Sequence, residues 1–466
     1  MKNMTMRMVA RATGGIMHNE AQAVDREILG VAIDNREVVK DYVFIPIRGQ
    51  KVDGHTFIPA AFRAGALFVL SDHELSPDEF GGGEEEYPYI EVKDTPTALK
   101  QIAKYYRSTL SIPIIGIVGS VGKTSTKEMV ASVLSRKFGV LKTEGNYNNE
   151  IGLPLTLLRI REFHTAAVVE MGISDFGEMD RLGEIANPDI VVMTNIGQCH
   201  LEQLQDRDGV LKAKSEILRH LHIPATVILN GDDDKLSLIK EVVGARILRY
   251  GIKSGDIRAT KVQPMGFESI RVAFVLPNGN VAQATIPLPG EHTVYNAMAA
   301  AAVGFALKMP LPAIIKGIES VRTIQGRSNF LHLRDNITVI DDCYNANPMS
   351  MKASLSVLAQ APGRKIAVLG DMGELGKDEK KLHFEIGTYM ATLPIQWLLT
   401  AGELSLQIAQ GIYAAGGRIR VRTFETRDAM SLALLRMIEA NDTILLKASH
   451  FMQFDHVVED IKNNYQ

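Results

Sequence analysis

The sequence is poor in cysteine, has no long apolar run and carries no excess of charge of one sign. Its 466 residues include two cysteines, Cys199 and Cys343, too few for a disulfide framework or a C-x-x-C metal site. The longest apolar run, Ala297 to Leu307, is much shorter than the roughly 20 residues of a membrane-spanning helix. The formal net charge of −3 does not indicate nucleic-acid binding, and no apolar segment follows the basic residues at the N-terminus. We therefore expect a cytoplasmic protein that neither inserts into a membrane nor binds nucleic acid.

A glycine-rich segment over residues 116–124, G-I-V-G-S-V-G-K-T, follows an apolar run typical of a buried parallel strand and precedes a helical pattern. In such a turn the glycines let backbone N–H groups approach an anion, which the helix N-terminus also favours. Lys123 is expected to reach the β- and γ-phosphates of a nucleotide, and Thr124 to hold Mg²⁺. The strict G-x-x-x-x-G-K-[ST] pattern requires glycine where Ile117 stands, so a chance glycine turn is the alternative. The residues predicted to bind the nucleotide are Gly119, Ser120, Val121, Gly122, Lys123, Thr124 and Ser125.

Length and pattern predict an α/β protein of three domains. We place the domains at residues 1–108, 109–323 and 324–466. In the small first domain, strands at 28–36 and 41–49 are joined by a polar turn, and the acidic run at 81–86 is a solvated loop. The second domain carries the phosphate-binding loop on a mostly parallel sheet with helices on both faces, and residues 255–289 form an antiparallel flap at the sheet edge. The third repeats the alternation of strands and helices, as in a Rossmann-like, doubly wound sheet.

Three polar residues of the second domain could act beside the nucleotide. Glu170 ends a predicted strand, where ligands bind in open α/β sheets, and its carboxylate could take Mg²⁺; a capping or loop glutamate is the alternative. His200 follows the next strand and would lie near Glu170 and Thr124, although a lone histidine is more often a structural hydrogen-bonding residue. Lys214 lies in a helical segment, where the pattern indicates no more than a surface lysine.

Further candidates stand near the second domain boundary and beyond it. Asn296, in a helix of small residues, could offer its amide to a purine, since asparagine is otherwise unfavourable within a helix. Arg327 could bring a guanidinium from another domain to a transferring phosphoryl group, with a surface arginine as the alternative. Polar runs that follow strands of the third domain predict a substrate cleft at one sheet edge. They are Asp341 to Pro348, Gly370 to Gly376 and Lys447 to His450.

Three segments give the chain a resemblance to the Mur ligases, a family of ATP-dependent enzymes that form amide bonds in bacterial cell-wall synthesis. They are Asn146 to Thr156 (N-Y-N-N-E-I-G-L-P-L-T), Asp341 to Pro348 (D-D-C-Y-N-A-N-P) and Val368 to Gly376 (V-L-G-D-M-G-E-L-G). The resemblance covers nearly the whole chain. The family uses a shorter loop, T-G-[ST]-x-G-K-[TS], which accounts for Ile117; Val118 replaces its first threonine.

The resemblance implies roles for the candidate residues of the nucleotide site. The implied catalytic residues are Lys123, His200, Lys214 and Arg327. The residues that match metal positions are Thr124, Glu170 and, for a second Mg²⁺, His200. Lys214 matches a lysine that many members carry as a carbamate. The residues that match contacts to adenine, phosphate and ribose are Asn296, Arg327 and Asp342.

Substrate contacts are implied in the same way. The first domain resembles the family's UDP-sugar-binding domain, whose D-S-R and D-G-H motifs match residues 34–36 and 53–55, with asparagine in place of serine. The family's K-G-S-R is K-A-S-H at residues 447–450, so Ala448 replaces the glycine and His450 the arginine. The implied substrate residues are Asn35, Arg36, Asp53, His55, Asn148, Asn149, Tyr344, Asn345, Asn347, Lys447 and Ser449.

The reaction that the resemblance implies adds D-alanyl-D-alanine to UDP-N-acetylmuramoyl-tripeptide through an acyl phosphate. ATP and Mg²⁺ are the implied cofactors, and a monomer in the bacterial cytoplasm is expected. Two alternatives stay open, namely a family ligase with another amino-acid or folate-type acceptor and a nucleotide-dependent switch without ligase chemistry. The identity of the third peptide residue, lysine or diaminopimelate, also stays open.

Overall fold

Three α/β domains, each built on its own sheet, make up the computed structural model, which describes residues 1, 3–20, 23–82 and 87–466. The predicted fold class is confirmed. Residues 83–86 of the predicted acidic loop lie outside the described residues. Within the described ranges, no helix combines the length and the apolar character needed to cross a bilayer.

The first domain follows the predicted pattern with one difference in its strands. Its elements are α1 (Met6–Thr13), β1 (Ile16–His18), β2 (Gly30–Ala32), β3 (Tyr42–Phe44), α2 (Ile58–Arg63), β4 (Ala66–Ser71), β5 (Tyr89–Glu91) and α3 (Thr95–Ser108), with sheet order β1-β5-β4-β3-β2. The strands predicted at 28–36 and 41–49 are β2 and β3, which are shorter than predicted and pair in parallel. A 3₁₀ turn at Asn35–Glu37, capped by the Asp34 side chain, replaces the predicted end of the first strand and leads into the turn before β3. The connection carries the chain back to the level at which β2 begins, so β2 and β3 run in the same direction.

The second domain confirms the parallel sheet and its antiparallel flap. Its strands are β6 (Ile114–Val118), β7 (Val140–Lys142), β8 (Ala166–Glu170), β9 (Ile190–Met193), β10 (Ala225–Asn230), β11 (Ala245–Gly251), β12 (Ile257–Pro264), β13 (Ile270–Val275) and β14 (Val281–Ile286). Its helices are α4 (Lys123–Leu134), α5 (Gly152–Leu158), α6 (Glu178–Ala186), α7 (Leu201–Leu204), α8 (Arg207–Ser215), α9 (Glu291–Ala306) and α10 (Leu311–Glu319). The order is β14-β13-β12-β11-β10-β9-β6-β8-β7, with antiparallel pairing only at β12-β13 and β13-β14 among the described residues.

Both faces of this sheet are covered, as the apolar run of β6 predicts. Ile114 and Val118 belong to the core formed with α5 and α6, whereas Ile115 and Ile117 belong to the core formed with α4 and α9. Alternate residues of a strand point to opposite faces, so a strand buried on both faces must be apolar at every position.

The third domain also has the predicted alternation, with an additional antiparallel edge strand. Its elements are β15 (Asn329–His332), β16 (Thr338–Asp341), α11 (Pro348–Gln360), β17 (Arg364–Gly370), α12 (Glu379–Met390), β18 (Trp397–Ala401), α13 (Leu406–Ala414), β19 (Arg420–Phe424), α14 (Arg427–Leu435), β20 (Asp442–Lys447) and α15 (Asp455–Tyr465). The sheet order is β15-β16-β20-β17-β18-β19, and β15 pairs antiparallel to β16. The loops after β16, β17 and β20 therefore lie side by side and face the second domain.

Candidate active site

One cavity of about 770 Å³ lies where the second and third domains meet. The second domain lines it with the loops after β6, β8 and β9, and the third domain with the loops after β16, β17 and β20. The carboxyl ends of parallel strands are the usual ligand sites of open α/β sheets, and here two such edges share one space.

The glycine-rich segment forms a loop between β6 and α4 in which two glycines have positive φ. At Gly119, with φ of 154°, a Cβ atom would lie 1.9 Å from Thr194 Oγ1, so only glycine fits. The Val121 N–H donates to Asn195 Oδ1 (2.9 Å), and the Ser120 N–H donates to the Asn195 carbonyl (3.0 Å). Asn195 thus fixes the backbone of the loop. Lys123 Nζ donates across the loop to the Gly119 carbonyl at 3.0 Å.

Glu170 is a buried carboxylate that lines the cavity. Its side chain is 4% exposed, Oε1 accepts a hydrogen bond from Asn148 Nδ2 (2.9 Å), and Oε2 has no hydrogen-bond partner among the described residues. A buried carboxylate oxygen without a partner is costly, and a cation would satisfy it. Thr124 lines the same cavity, so a hydroxyl and a carboxylate, both ligands suited to Mg²⁺, are brought together.

His200 is bridged to the third domain. Its Nδ1 lies 2.6 Å from Glu374 Oε2, in the loop after β17, and this contact with His200 lowers the pKa of Glu374. The Leu201 N–H donates to the Glu374 carbonyl at 2.9 Å, which fixes the same two loops against each other. His200 therefore lines the cavity together with a carboxylate that comes from another domain.

Lys214 is completely buried, so the interpretation as a surface lysine is wrong. Its Nζ has no hydrogen-bond partner among the described residues, and burial lowers the pKa of Lys214 to about 8. An ammonium without a counter-ion is strongly disfavoured in such a place. Near physiological pH a larger fraction of this amine is therefore neutral than for an exposed lysine, and the neutral amine is the form that can add to CO₂.

Asn296 and Arg327 both face the phosphate-binding loop. Asn296 Oδ1 accepts a hydrogen bond from Thr126 Oγ1 (3.0 Å), and its buried Nδ2 lacks a partner among the described residues. The Arg327 guanidinium lies 4.0 Å from the ring centroid of Tyr344 and donates to Thr124 Oγ1 at 3.4 Å. The structure thus brings a third-domain arginine to the loop, contrary to the surface alternative.

The polar run after β16 is held rigidly by buried ion pairing. Asp342 Oδ1 accepts from the Ser328 N–H (3.0 Å), and Oδ2 accepts from Lys447 Nζ (2.7 Å) and from the Ser354 hydroxyl. Lys447 also donates to the carbonyl of Asn345 at 2.9 Å. Lys447, predicted as a substrate residue, is therefore buried behind the cavity and positions the loop that lines it.

The other predicted substrate residues fall into two groups. Those that line the cavity are Asn148, Asn149, Tyr344, Asn345, Asn347 and Ser449. Asn35, Arg36, Asp53 and His55 lie in the first domain and do not line it. Asp53 and His55 line a second cavity of about 450 Å³, whereas the Arg36 guanidinium is paired with Asp34. Of the predicted nucleotide residues, Gly119 and Ser125 stand at the loop without lining the cavity.

Three residues that sequence analysis did not single out support the site. Lys127 is buried, donates to the Thr143 carbonyl (2.7 Å) and lies 4.0 Å from Glu170 Oε2. Its position four residues after Lys123 on α4 was the available signal, because such residues share a helix face. Asn195 follows β9 and contacts Val121, and Glu374 follows β17 and contacts His200. No local pattern marks either residue, because each contacts a residue far away in the sequence.

Profiles of known protein families match most of the chain. They are the Mur ligase middle domain at residues 117–304, the Mur ligase glutamate ligase domain at 326–450 and the Mur ligase family catalytic domain at 27–107. The UDP-N-acetylmuramoyl-tripeptide–D-alanyl-D-alanine ligase of Bacillus subtilis (strain 168) is 35% identical, covering 98% of each chain. The ligase of that name from Escherichia coli (strain K12) is 32% identical over 96% of this chain and 97% of its own.

Solved structures show the same three-domain arrangement. A crystal structure of MurF from Acinetobacter baumannii matches with a TM-score of 0.89 at 32% identity over 98% of each chain. MurF from Thermotoga maritima in complex with ADP matches with a TM-score of 0.81 at 27% identity, covering 93% of this chain and 97% of its own. Because relatives above 30% identity align over nearly its full length and share its fold, the chain belongs to the Mur ligase family.

Proposed function

We propose that this protein is an ATP-dependent ligase that adds D-alanyl-D-alanine to UDP-N-acetylmuramoyl-tripeptide in peptidoglycan precursor synthesis. The observation that carries the proposal is the shared cavity, in which a phosphate-binding loop, a buried carboxylate with an oxygen that accepts no hydrogen bond among the described residues and a polar third-domain edge meet. The relatives from Bacillus subtilis and Escherichia coli are named as ligases of this activity, which supports it. ATP binds in this proposal at residues 119–125, with Asn296 at the adenine and Asp342 at the ribose.

The first chemical step activates the carboxyl group of the tripeptide. A carboxylate is a poor acyl donor, since its oxide is too basic to leave. Its oxygen attacks the γ-phosphorus of ATP, the bond from that phosphorus to the β,γ-bridging oxygen breaks, and an acyl phosphate and ADP result. Lys123 at the start of α4 and Arg327 beside Thr124 place two cations where negative charge spreads over the phosphoryl oxygens.

The second step forms the amide bond. The neutral amine of the acceptor attacks the acyl carbon, the carbon–oxygen bond to phosphate breaks, and the departing phosphate takes up the proton that the nitrogen loses. Tyr344, Asn345, Asn347 and Ser449 line the third-domain side of the cavity, and we assign the acceptor to that side. Enclosure between two domains keeps water from hydrolysing the acyl phosphate.

Thr124, Glu170 and His200 are the residues that would hold two Mg²⁺ ions, and the unpartnered Oε2 of Glu170 fits this assignment. Bound there, Mg²⁺ would neutralise charge on the phosphate oxygens. The buried amine of Lys214 is the group that would carry a carbamate, which would supply an anionic oxygen pair. We assign the UDP-sugar to the first domain, where it would contact Asn35, Arg36, Asp53 and His55. The proposed domain boundaries lie between residues 108 and 109 and between residues 323 and 324. We expect the enzyme to be monomeric and cytoplasmic.

Phosphate release with different acceptors tests the proposal. We expect rapid release only when UDP-N-acetylmuramoyl-tripeptide and D-alanyl-D-alanine are both present. Release with a different amino acid would favour another ligase of the family. Slow ATP turnover that is indifferent to acceptors would indicate a nucleotide-dependent switch and would overturn the assignment.

Closure of the third domain over the nucleotide should be measurable in solution. The contacts of Arg327 with Thr124 and of Glu374 with His200 join the two domains through side chains of two loops. We expect an open arrangement that differs by rigid rotation of the third domain. Small-angle scattering should show a smaller radius of gyration with an ATP analogue and both substrates than with the acceptor alone. An unchanged radius would contradict this hypothesis.

A further inference from the structure

A cluster of two histidines and three carboxylates lies in the first domain, away from the active-site cavity. His55, Asp72 and His73 form its centre, and we call them the histidine triplet. One ligand atom from each of the three residues lies within 4.8 Å of the other two. Among the residues that the structure describes, no other group of histidine, cysteine or acidic residues meets this condition. His55 is buried, and both histidines line the second cavity of about 450 Å³, so the cluster has room for a further ligand.

The outer nitrogen of each imidazole is bound to its own carboxylate. His55 Nδ1 lies 2.7 Å from Asp53 Oδ1, and His73 Nε2 lies 2.8 Å from Glu79 Oε1. In each pair the carboxylate accepts a proton held on the outer nitrogen. Such pairs are the outer contacts that fix tautomer and orientation in metal-binding histidines, because the second nitrogen is then left with a lone pair.

The inner nitrogens converge on a single oxygen. His73 Nδ1 lies 2.7 Å and His55 Nε2 3.4 Å from Asp72 Oδ1. Asp72 is itself held by Arg48, whose Nε and Nη2 each donate at 2.8 Å, and this contact keeps the pKa of Asp72 well below its usual range. At a distance of 2.7 Å His73 Nδ1 donates a proton to the carboxylate, and His55 Nε2 accepts the Asp72 N–H at 3.5 Å. A cation among the three inner atoms would take the place of that proton.

The charge balance of the cluster favours a divalent cation. Asp53, Asp72 and Glu79 contribute three negative charges, and Arg48 contributes one positive charge, so two negative charges are unbalanced when both imidazoles are neutral. One divalent ion among the three inner atoms would balance these two charges.

We propose that His55 Nε2, Asp72 Oδ1 and His73 Nδ1 bind a divalent transition-metal ion of the Zn²⁺ class. Two imidazoles and one carboxylate suit Zn²⁺ or Co²⁺, whereas Mg²⁺ prefers oxygen ligands throughout. Three protein ligands leave one coordination position, which faces the second cavity and takes water or an anionic oxygen. The site is separate from the ATP site, but it shares His55 and the outer carboxylate of Asp53 with the residues assigned to the UDP-sugar, so its test is made without that substrate.

Metal content of the full-length protein tests the proposal. After chelator treatment, the protein is dialysed against Zn²⁺ with excess Mg²⁺, and bound metal is measured by elemental mass spectrometry. We expect one Zn²⁺ per chain. The affinity for Zn²⁺ should be at least about 100-fold lower in His73→Gln, which removes a ligand, and about 10-fold lower in Glu79→Gln, which removes only an outer contact. His18→Gln is the matched control, since His18 in the same domain pairs with a single carboxylate, Glu91, at 3.1 Å; it should bind Zn²⁺ like the unaltered protein.

Co²⁺ provides a second readout. The Co²⁺-loaded protein should show visible absorption bands of a low-symmetry site, and these bands should be absent in His73→Gln and present in His18→Gln. Failure of the unaltered protein to retain Zn²⁺, or equal retention by His73→Gln, would overturn the proposal. Should His73→Gln not fold, Glu79→Gln decides, and an affinity equal to that of the unaltered protein then overturns it.

Discussion

Replacement of Lys123 by alanine should lower the rate of phosphate release by about 10³-fold, because the variant loses a cation that faces the phosphoryl oxygens in the transition state. In the structure the Lys123 ammonium contacts the Gly119 carbonyl of the loop. Its removal therefore costs the fold one partly buried hydrogen bond, about 1 kcal/mol of unfolding free energy. Steady-state phosphate release with both substrates measures the effect, and thermal unfolding measures stability.

A matched control for this variant is Lys316→Ala, which removes an exposed lysine from α10 of the same domain. The control should retain full activity and unchanged unfolding. Near-normal turnover in Lys123→Ala would remove the nucleotide assignment of residues 116–124. A large loss of stability in Lys123→Ala would instead show that the lysine holds the loop together.

Replacement of Lys214 by alanine should lower activity by about 100-fold, and short carboxylic acids such as formate or acetate should restore part of it. Truncation to alanine leaves a space where the buried lysine stem stood, and a small carboxylate entering that space supplies the anionic oxygens of the carbamate. Phosphate release measured against carboxylic acid concentration should rise and saturate.

Two control variants separate this explanation from others. Lys212→Ala, two residues earlier on α8 and exposed, should keep its activity and show no response to carboxylic acids. Lys214→Met keeps the apolar stem, so it should be inactive and should not be rescued. Loss of activity in Lys214→Ala without rescue by any small acid would leave the carbamate unsupported.

Local patterns were sufficient to locate the phosphate-binding loop and its flanking elements. The apolar run, the glycines and the helical pattern after Lys123 act over a few residues, and β6 and α4 lie where they predict. The same reasoning placed Glu170 at a strand end and the polar run after β16 at a sheet edge. It could not establish that Lys214 is buried, since the burial of one helical lysine depends on which distant elements cover it.

Pairs between distant residues were equally out of reach. His200 contacts Glu374 because the sheets of two domains face each other. Lys447 does not line the cavity, since its ammonium donates hydrogen bonds to Asp342 and to the Asn345 carbonyl. The inner nitrogen of His55 faces Asp72 through the packing of the 3₁₀ turn at residues 54–57 beside the end of β4. None of these contacts leaves a periodic trace in the chain.

The order of the amino acids alone is thus enough to specify the α/β class, the three-part organisation, the anion-binding turn and the family resemblance. The first three depend on backbone preferences and apolar spacing within short stretches, whereas the resemblance depends on the residues of the quoted motifs. Folding in space was needed to decide which charges are buried, which side chains pair across domains and where two histidines share one carboxylate oxygen. Those outcomes depend on desolvation and on contacts between residues far apart in the chain, and neither is encoded in any local pattern.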